Sequence, residues 1–246
     1  MTKLPLVSSA VIFLFSLGQA HAVHANDAMP AMAQADAAYM QREDLTQDTL
    51  AVDLYERIGA VSSSVEAYWK ASRAAWWLGE HAEKRADKLA SYQRGIDDAN
   101  KALALQPDCA EAHFWLGGNL GSFGDAKGVL KSLSLVKPIR HEMAEVIRLN
   151  DRYNGGAAYH VLGVVDYKVP GMMGGNKARA KQELEKALSI DPNDPFHHFY
   201  MAEYAKLTGD KARFQSELAT LNSLTPPSDL IPEANMLRAR AAREFK

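Results

Sequence analysis

The sequence predicts an all-α protein of stacked helix-turn-helix repeats, an α-solenoid with inserted loops. Three observations carry this prediction. Apolar residues recur at helical spacing through most of the chain, and no stretch shows the period-two alternation of a strand. A segment also recurs: KALALQPDCAEAHF at Lys101 and KALSIDPNDPFHHF at Lys186 share a helix end, a closing proline and the start of the next helix. A fixed motif returning along a helical chain is the mark of repeat architecture.

In chain order, residues 1–25 read as a secretory signal. Lys3 supplies the positive start and Leu4 to Leu17 a short apolar run. Ala20-His21-Ala22 or Val23-His24-Ala25 then offers a cleavage site. Cleavage near residue 22 or 25 predicts a periplasmic protein with no stable membrane insertion, and no cysteine stands there to carry a lipid anchor. Residues 26–48 lack a clear period and read as a loose leader, so the repeat domain is expected over 49–246.

Within that domain the first helix covers Thr49 to Ala60. Ser63 and Glu66, at capping-box spacing, open a helix from Ser64 to Leu78 that Gly79 ends. A long amphipathic helix runs from about Glu83 to Leu105. Asp108 and Glu111 repeat the capping device before Ala110 to Phe123, with Gly124-Asp125 as the stop. A less regular segment, Ala126 to Val136, leads to Pro138 and a helix from Ile139 to Leu149. Asn154-Gly155-Gly156 is a turn before Ala157 to about Lys168. Asn176 caps the next helix, on which Ala180, Leu184, Ala187 and Leu188 share one face, and Asp191-Pro192 stops it. Phe196 to Leu207 and Lys211 to Leu221 form one more pair, followed by a terminal helix from Pro232 to Phe245.

Leu116-Gly117, Leu162-Gly163 and Met201-Ala202 occupy equivalent places on successive first helices, with Ala71-Ser72 a weaker match. The second members Ser72, Gly117, Gly163 and Ala202 lie 45, 46 and 39 residues apart. Gly117, Gly163 and Ala202 are therefore the expected small-residue contacts of the repeat. The pattern resembles degenerate tetratricopeptide repeats, whose usual period is roughly 34 residues, with loops inserted.

Composition narrows the function. The chain has 246 residues, 28 basic against 30 acidic for a net charge of −2, and offers no basic stripe for nucleic acid. Its 47% hydrophobic content is enough for a substantial core. Cys109 is the only cysteine, which rules out an internal disulfide and reads as a packed apolar group. GGNLGSFG, from Gly117 to Gly124, lacks the Lys-Ser/Thr of a phosphate loop and lies inside a helix, where glycines permit close packing. The histidines show no metal-binding spacing, and no GxSxG nucleophile elbow is present. The chain is thus expected to be a non-enzymatic binding protein without cofactor or metal. A general envelope adaptor is the alternative, and a hydrolase without a recognisable motif stands behind both.

Two places suggest contact. Tyr68, Trp69, Trp76, Trp77 and Trp115 crowd two helices and either line a ligand groove or fill the inter-helix core. The segment from Lys168 to Gly175, KVPGMMGG, replaces a tight repeat turn with a Pro/Gly loop. There Pro170, Met172 and Met173 either form a contact surface or fold back to plug the core.

Three stretches together carry a resemblance: GGAAYHVLGVVDYKVPGMMGGNKARAKQELEKALSIDP, AYWKASRAAWWLGE followed by ANKALALQPDCAEAHFWLGGNLG, and VLKSLSLVKPIRHEMAEVIRLNDRYNGG. Over about Thr49 to Leu221 the chain resembles the periplasmic tetratricopeptide-like T component of TRAP (tripartite ATP-independent periplasmic) transporters. The resemblance implies an α-helical scaffold that engages the transporter's solute-binding protein, with a homo-oligomer enclosing an apolar channel as one form. The expected scaffold binds this protein partner together with an apolar small ligand.

Overall fold

The computed structural model describes residues 28–128 and 132–246, so the signal read at residues 1–25 lies outside the described residues. Among the described residues the regular structure is eleven α-helices and four short 3-10 turns, with no strand. Five hairpins follow one another: α1 (Ala28–Met40) with α2 (Leu45–Ser62), α3 (Val65–His81) with α4 (Arg85–Leu105), α5 (Ala110–Lys127) with α6 (Val136–Asn150), α7 (Ala157–Lys168) with α8 (Lys177–Ile190), and α9 (Pro195–Thr208) with α10 (Lys211–Ser223). α11 (Ile231–Glu244) ends the chain. Each helix packs on the next, and α3 with α5, α7 with α9 and α9 with α11 also meet one repeat apart. Nearest-neighbour stacking of this kind defines a helical solenoid.

Local chemistry explains where the helices start. The side chains of Asp44, Ser64, Asn176, Asp194 and Asp210 accept hydrogen bonds from the orphan amides at the starts of α2, α3, α8, α9 and α10. The cap of α3 is therefore Ser64, while Ser63 takes a left-handed conformation (φ 52°) just before it. Asp108 does not cap α5. It pairs with Arg148 at 2.5 Å, and the N-cap position falls to Cys109, which makes no side-chain capping bond.

Three further expectations need correction. Residues 28–48 are not loose: α1 buries Ala35, Ala38 and Tyr39 against α2, and Arg42 after it is 1% exposed. Gly79 and Gly124 do not end their helices. α3 runs on to His81, and a side chain at Gly79 would stand 2.2 Å from the Tyr92 ring, so the glycine makes room for α4. Gly124 likewise lies inside α5, where an added Cβ would come 3.1 Å from Ser132.

The core is rich in alanine. Ala67, Ala71, Ala74, Ala75, Ala99 and Ala102 are fully buried, which lets helix axes approach closely. Gly117 and Gly163 play the same part: a Cβ at Gly117 would meet Met143 of α6 at 2.3 Å, and one at Gly163 would meet Leu184 of α8 at 2.8 Å. Ala202, the third position of that set, is fully buried as well.

The ends of the solenoid meet. Arg42, just after α1, grips Glu233 of α11 through two hydrogen bonds of 3.0 and 2.6 Å and the backbone oxygen of Asp229 at 2.5 Å. Its guanidinium also lies over the rings of Tyr39 and Trp77, and Trp77 Nε1 donates to the Arg42 carbonyl at 2.7 Å. This two-pronged, stacked arrangement suits arginine's planar fork. It closes a stack of hairpins into a ring.

Candidate functional site

The ring surrounds a half-open cavity of about 1170 Å³, walled mainly by the inner helices α1, α3, α5, α7, α9 and α11, with charged side chains such as Glu80, Glu203 and Arg240 among the aromatic ones. Trp76 of α3 and Trp115 of α5 stand on its wall with ring centroids 5.8 Å apart, and Phe196 of α9 lies 6.2 Å from Trp76. The indole N–H of Trp76 donates to Ser122, whose hydroxyl donates to Glu80, so the ring presents apolar surface with its polar atom satisfied. Trp77 differs: it is 1% exposed, turned from the cavity, and packed into the clamp around Arg42. Of the three tryptophans expected at a contact surface, two line the cavity and one is core.

The wall also has gaps. Gly118 and Gly121 of α5 border the cavity, and a Cβ added at either would meet nothing within 4 Å. Arg73 lies 3.8 Å over the Tyr39 ring, and its Nε makes no hydrogen bond. Lys70 beside it is held by Asp36 at 2.9 Å and Glu66 at 2.7 Å.

The Pro/Gly loop sits at the cavity rim, where Lys168, Val169 and Pro170 belong to the lining. Its methionines do not plug the core: Met172 is 92% exposed and Met173 53%. The loop is nevertheless tightly held. Asp166, fully buried, receives the guanidinium groups of Arg140 and Arg179, which also donate to Gly174 O at 3.2 and 3.1 Å. Pro170 O accepts from the amides of Met173 and Gly175. Gly174 takes φ +92°, and a Cβ at Gly175 would lie 1.8 Å from Val169 O. Glycine is required at both places, one for its dihedral and one for space. Apolar side chains are thus presented outward on a pinned backbone.

Four histidines form two arrangements that spacing alone did not reveal. His113 of α5 places Nδ1 2.5 Å from Glu142 and Nε2 2.8 Å from Pro107 O. His198 of α9 repeats this with Glu217 at 2.5 Å and Pro192 O at 2.8 Å. Acceptors on both sides of one ring require both nitrogens to carry hydrogen, so each imidazole is charged. Burial opposes that charge, but the carboxylate and the carbonyl outweigh it and raise both pKa values. The signal was present in the two KAL segments, which share a histidine six residues after the proline, followed by phenylalanine.

His160 of α7 and His197 of α9 form the second arrangement. Their Nδ1 atoms are 3.0 Å apart, and His197 Nε2 lies 2.9 Å from Gly155 O. Burial, then the neighbouring His197, holds the His160 pKa well below the ordinary value. Cys109 is buried, and burial pushes its thiol up to about 11, which leaves it unreactive. Among the described residues no group of three or more His, Cys, Asp or Glu is placed to hold a metal ion, and no helix is long and apolar enough to cross a membrane.

Comparison with solved structures places the fold. A thermophilic TPR protein of Thermus thermophilus superposes with a TM-score of 0.63 at 17% identity, covering 87% of this chain and 97% of that one. Pseudomonas aeruginosa pilF follows at 0.53 and 16% identity, covering 90% and 91%. These likenesses show a tetratricopeptide-type helical fold. Curated proteins give no match. Residues 31–180, from α1 into α8, match the model of the family described as Regulator of microtubule dynamics protein 1-3, and the chain belongs to that family.

Proposed function

We propose that this protein is a non-enzymatic, periplasmic helical-repeat scaffold that binds a protein partner at the rim loop and an apolar ligand in the ring. The observation that carries the reading is the loop itself. Met172 and Met173 stand in solvent on a backbone pinned by Asp166, Arg140 and Arg179, beside the opening of an aromatic cavity. Exposed methionines are adaptable apolar contacts, and a fixed backbone loses little freedom when it docks. The finer identity of the partner, the solute-binding protein of a TRAP-type transporter, rests on the resemblance of the three stretches quoted above. The family's description, regulation of microtubule dynamics, also points to a protein partner. The periplasmic address rests on the signal-like residues 1–25.

The cavity half is tested by filling it. Gly121→Leu projects a side chain into open space on the cavity wall, so it is expected to leave folding intact and to weaken uptake of an apolar fluorophore. Unchanged uptake would remove the ligand from the reading. The partner half is tested by direct binding to a TRAP solute-binding protein. Failure there, with another envelope protein retained, would favour a general adaptor.

A further inference from the structure

We propose that His160 is the polar anchor of the cavity, its bare Nε2 accepting a hydrogen bond from the hydroxyl of a neutral amphiphile, an alcohol or phenol on an apolar body. The proposal rests on the reading that the cavity takes an apolar ligand and adds the one polar contact that ligand would need.

The assignment follows a chain of hydrogen bonds. Gly155 O can only accept, so His197 Nε2, 2.9 Å away, carries the hydrogen. The proposal places a single hydrogen on the His197 ring, whose Nε2 also lies 3.9 Å from Asp194, and so leaves His197 Nδ1 bare. His160 Nδ1, 3.0 Å from it, must then donate, which leaves His160 Nε2 without hydrogen. His160 is 5% exposed and lines the cavity, and its Nε2 has no protein donor among the described residues. The ring stacks 5.8 Å from Phe196 and lies 5.2 Å from Tyr200, so aromatic rings flank it at the cavity wall, with Glu203 and Arg240 also in the lining. The depressed pKa keeps the ring neutral, which favours a hydroxyl donor over an anion. Nε2 is not among the buried polar atoms without a partner, so a ligand hydroxyl would take the place of solvent there.

The probes are 4-butylphenol and butylbenzene, which share a shape and differ by one hydroxyl. Calorimetry on the wild type and on His160→Phe compares the affinity ratio of phenol to hydrocarbon, which cancels their different hydration. The ratio should fall roughly three- to tenfold in the variant. Long-range proton–nitrogen spectra of the wild type test the tautomer without any substitution. They should show His160 Nε2 bare, shifted by the phenol and untouched by butylbenzene. A protonated Nε2 overturns the proposal, as does an unshifted Nε2 or a ratio unchanged in a folded variant. Should both probes bind and only the ratio test fail, the cavity reading stands and the anchor falls. If neither binds, both fall. If His160→Phe does not fold, the wild-type spectra decide.

Discussion

His197 and His198 are neighbours in α9 yet face different partners. His198 points to Glu217 and the Pro192 carbonyl and is held as a cation. His197 points to His160 and the Gly155 carbonyl, beside the aromatic cavity, in a pair that is neutral on the His160 side. Adjacent residues on a helix project in directions about 100° apart, so one dipeptide reaches two environments. The Nδ1 of His198 meets a carboxylate at 2.5 Å and the Nδ1 of His197 meets an imidazole at 3.0 Å, with Asp194 3.9 Å from its Nε2. The lesson is that a histidine's role is set by what the packed helix brings to its second nitrogen.

The extreme of this comparison is the Arg42–Glu233 clamp, because a guanidinium cannot shed its proton when its partner is lost. Glu233→Ala should therefore cost roughly 3–5 kcal/mol, and it should also free α1 from α11. Thermal melting reads the first effect and hydrogen exchange of α1 the second. A loss under about 1 kcal/mol would show that ring closure contributes little.

Glu217→Leu tests the titratable version. His198 can escape by deprotonating, so the expected loss is smaller, roughly 1–3 kcal/mol. Gly163→Leu is the uncharged control, overpacking against Leu184 at a similar roughly 1–3 kcal/mol with no pH dependence of its own.

pH separates the two histidine types. A raised folded pKa means that the His113 and His198 brackets stabilise fully below the ordinary value of 6.5 and lose that contribution as pH rises through the folded value. The depressed His160 does the reverse: its contribution is present above 6.5 and is lost as pH falls towards its folded value. Buried Asp48, pushed up to about 8, and Asp98, to about 7, also lower stability as pH rises. The histidine part is therefore read as a difference between variant and wild type. The cost of Glu217→Leu should shrink as pH rises above 6.5, whereas Gly163→Leu should give a constant offset. A constant offset from Glu217→Leu would mean that His198 is neutral in the folded protein.

How far the sequence could be read follows from the same contrast. The helices were legible wherever large apolar residues alternate with charge, as in α8, whose Ala180, Leu184 and Ala187 are all fully buried. α1 was not, because AMPAMAQADAAYM offers mostly alanine on every side and contacts made by small residues leave no period. Gly79 and Gly124 looked like stops because glycine's other use, yielding space to a distant ring or side chain, depends on a partner that sequence does not name. Trp76 and Trp115 stand on the wall, one of the two readings the sequence left open for them, and nothing local separated them from Trp77. The clamp on Arg42 and the carboxylates facing His113 and His198 come from remote helices. Only the repeated proline-to-histidine spacing hinted at the brackets.

The smallest effect on stability is expected where the chain faces outward. Met172 and Met173 touch little of the core, so Met172→Asp/Met173→Asp should change stability by no more than about 0.5 kcal/mol, with helicity intact by circular dichroism. The backbone beneath them is fixed by Asp166 and by glycines that this change leaves alone, so the loop keeps its shape while its surface turns acidic. Charge is depleted in interface cores, and binding to the solute-binding protein or self-association should weaken at least roughly tenfold, read by direct binding and light scattering. Unchanged binding and assembly in a folded variant would reduce the loop to a spacer and move the contact surface elsewhere. Loss of folding would mean that 92% exposure misjudges what Met172 holds in place, and the division between a ring that is locked and a rim that is free would have to be drawn differently.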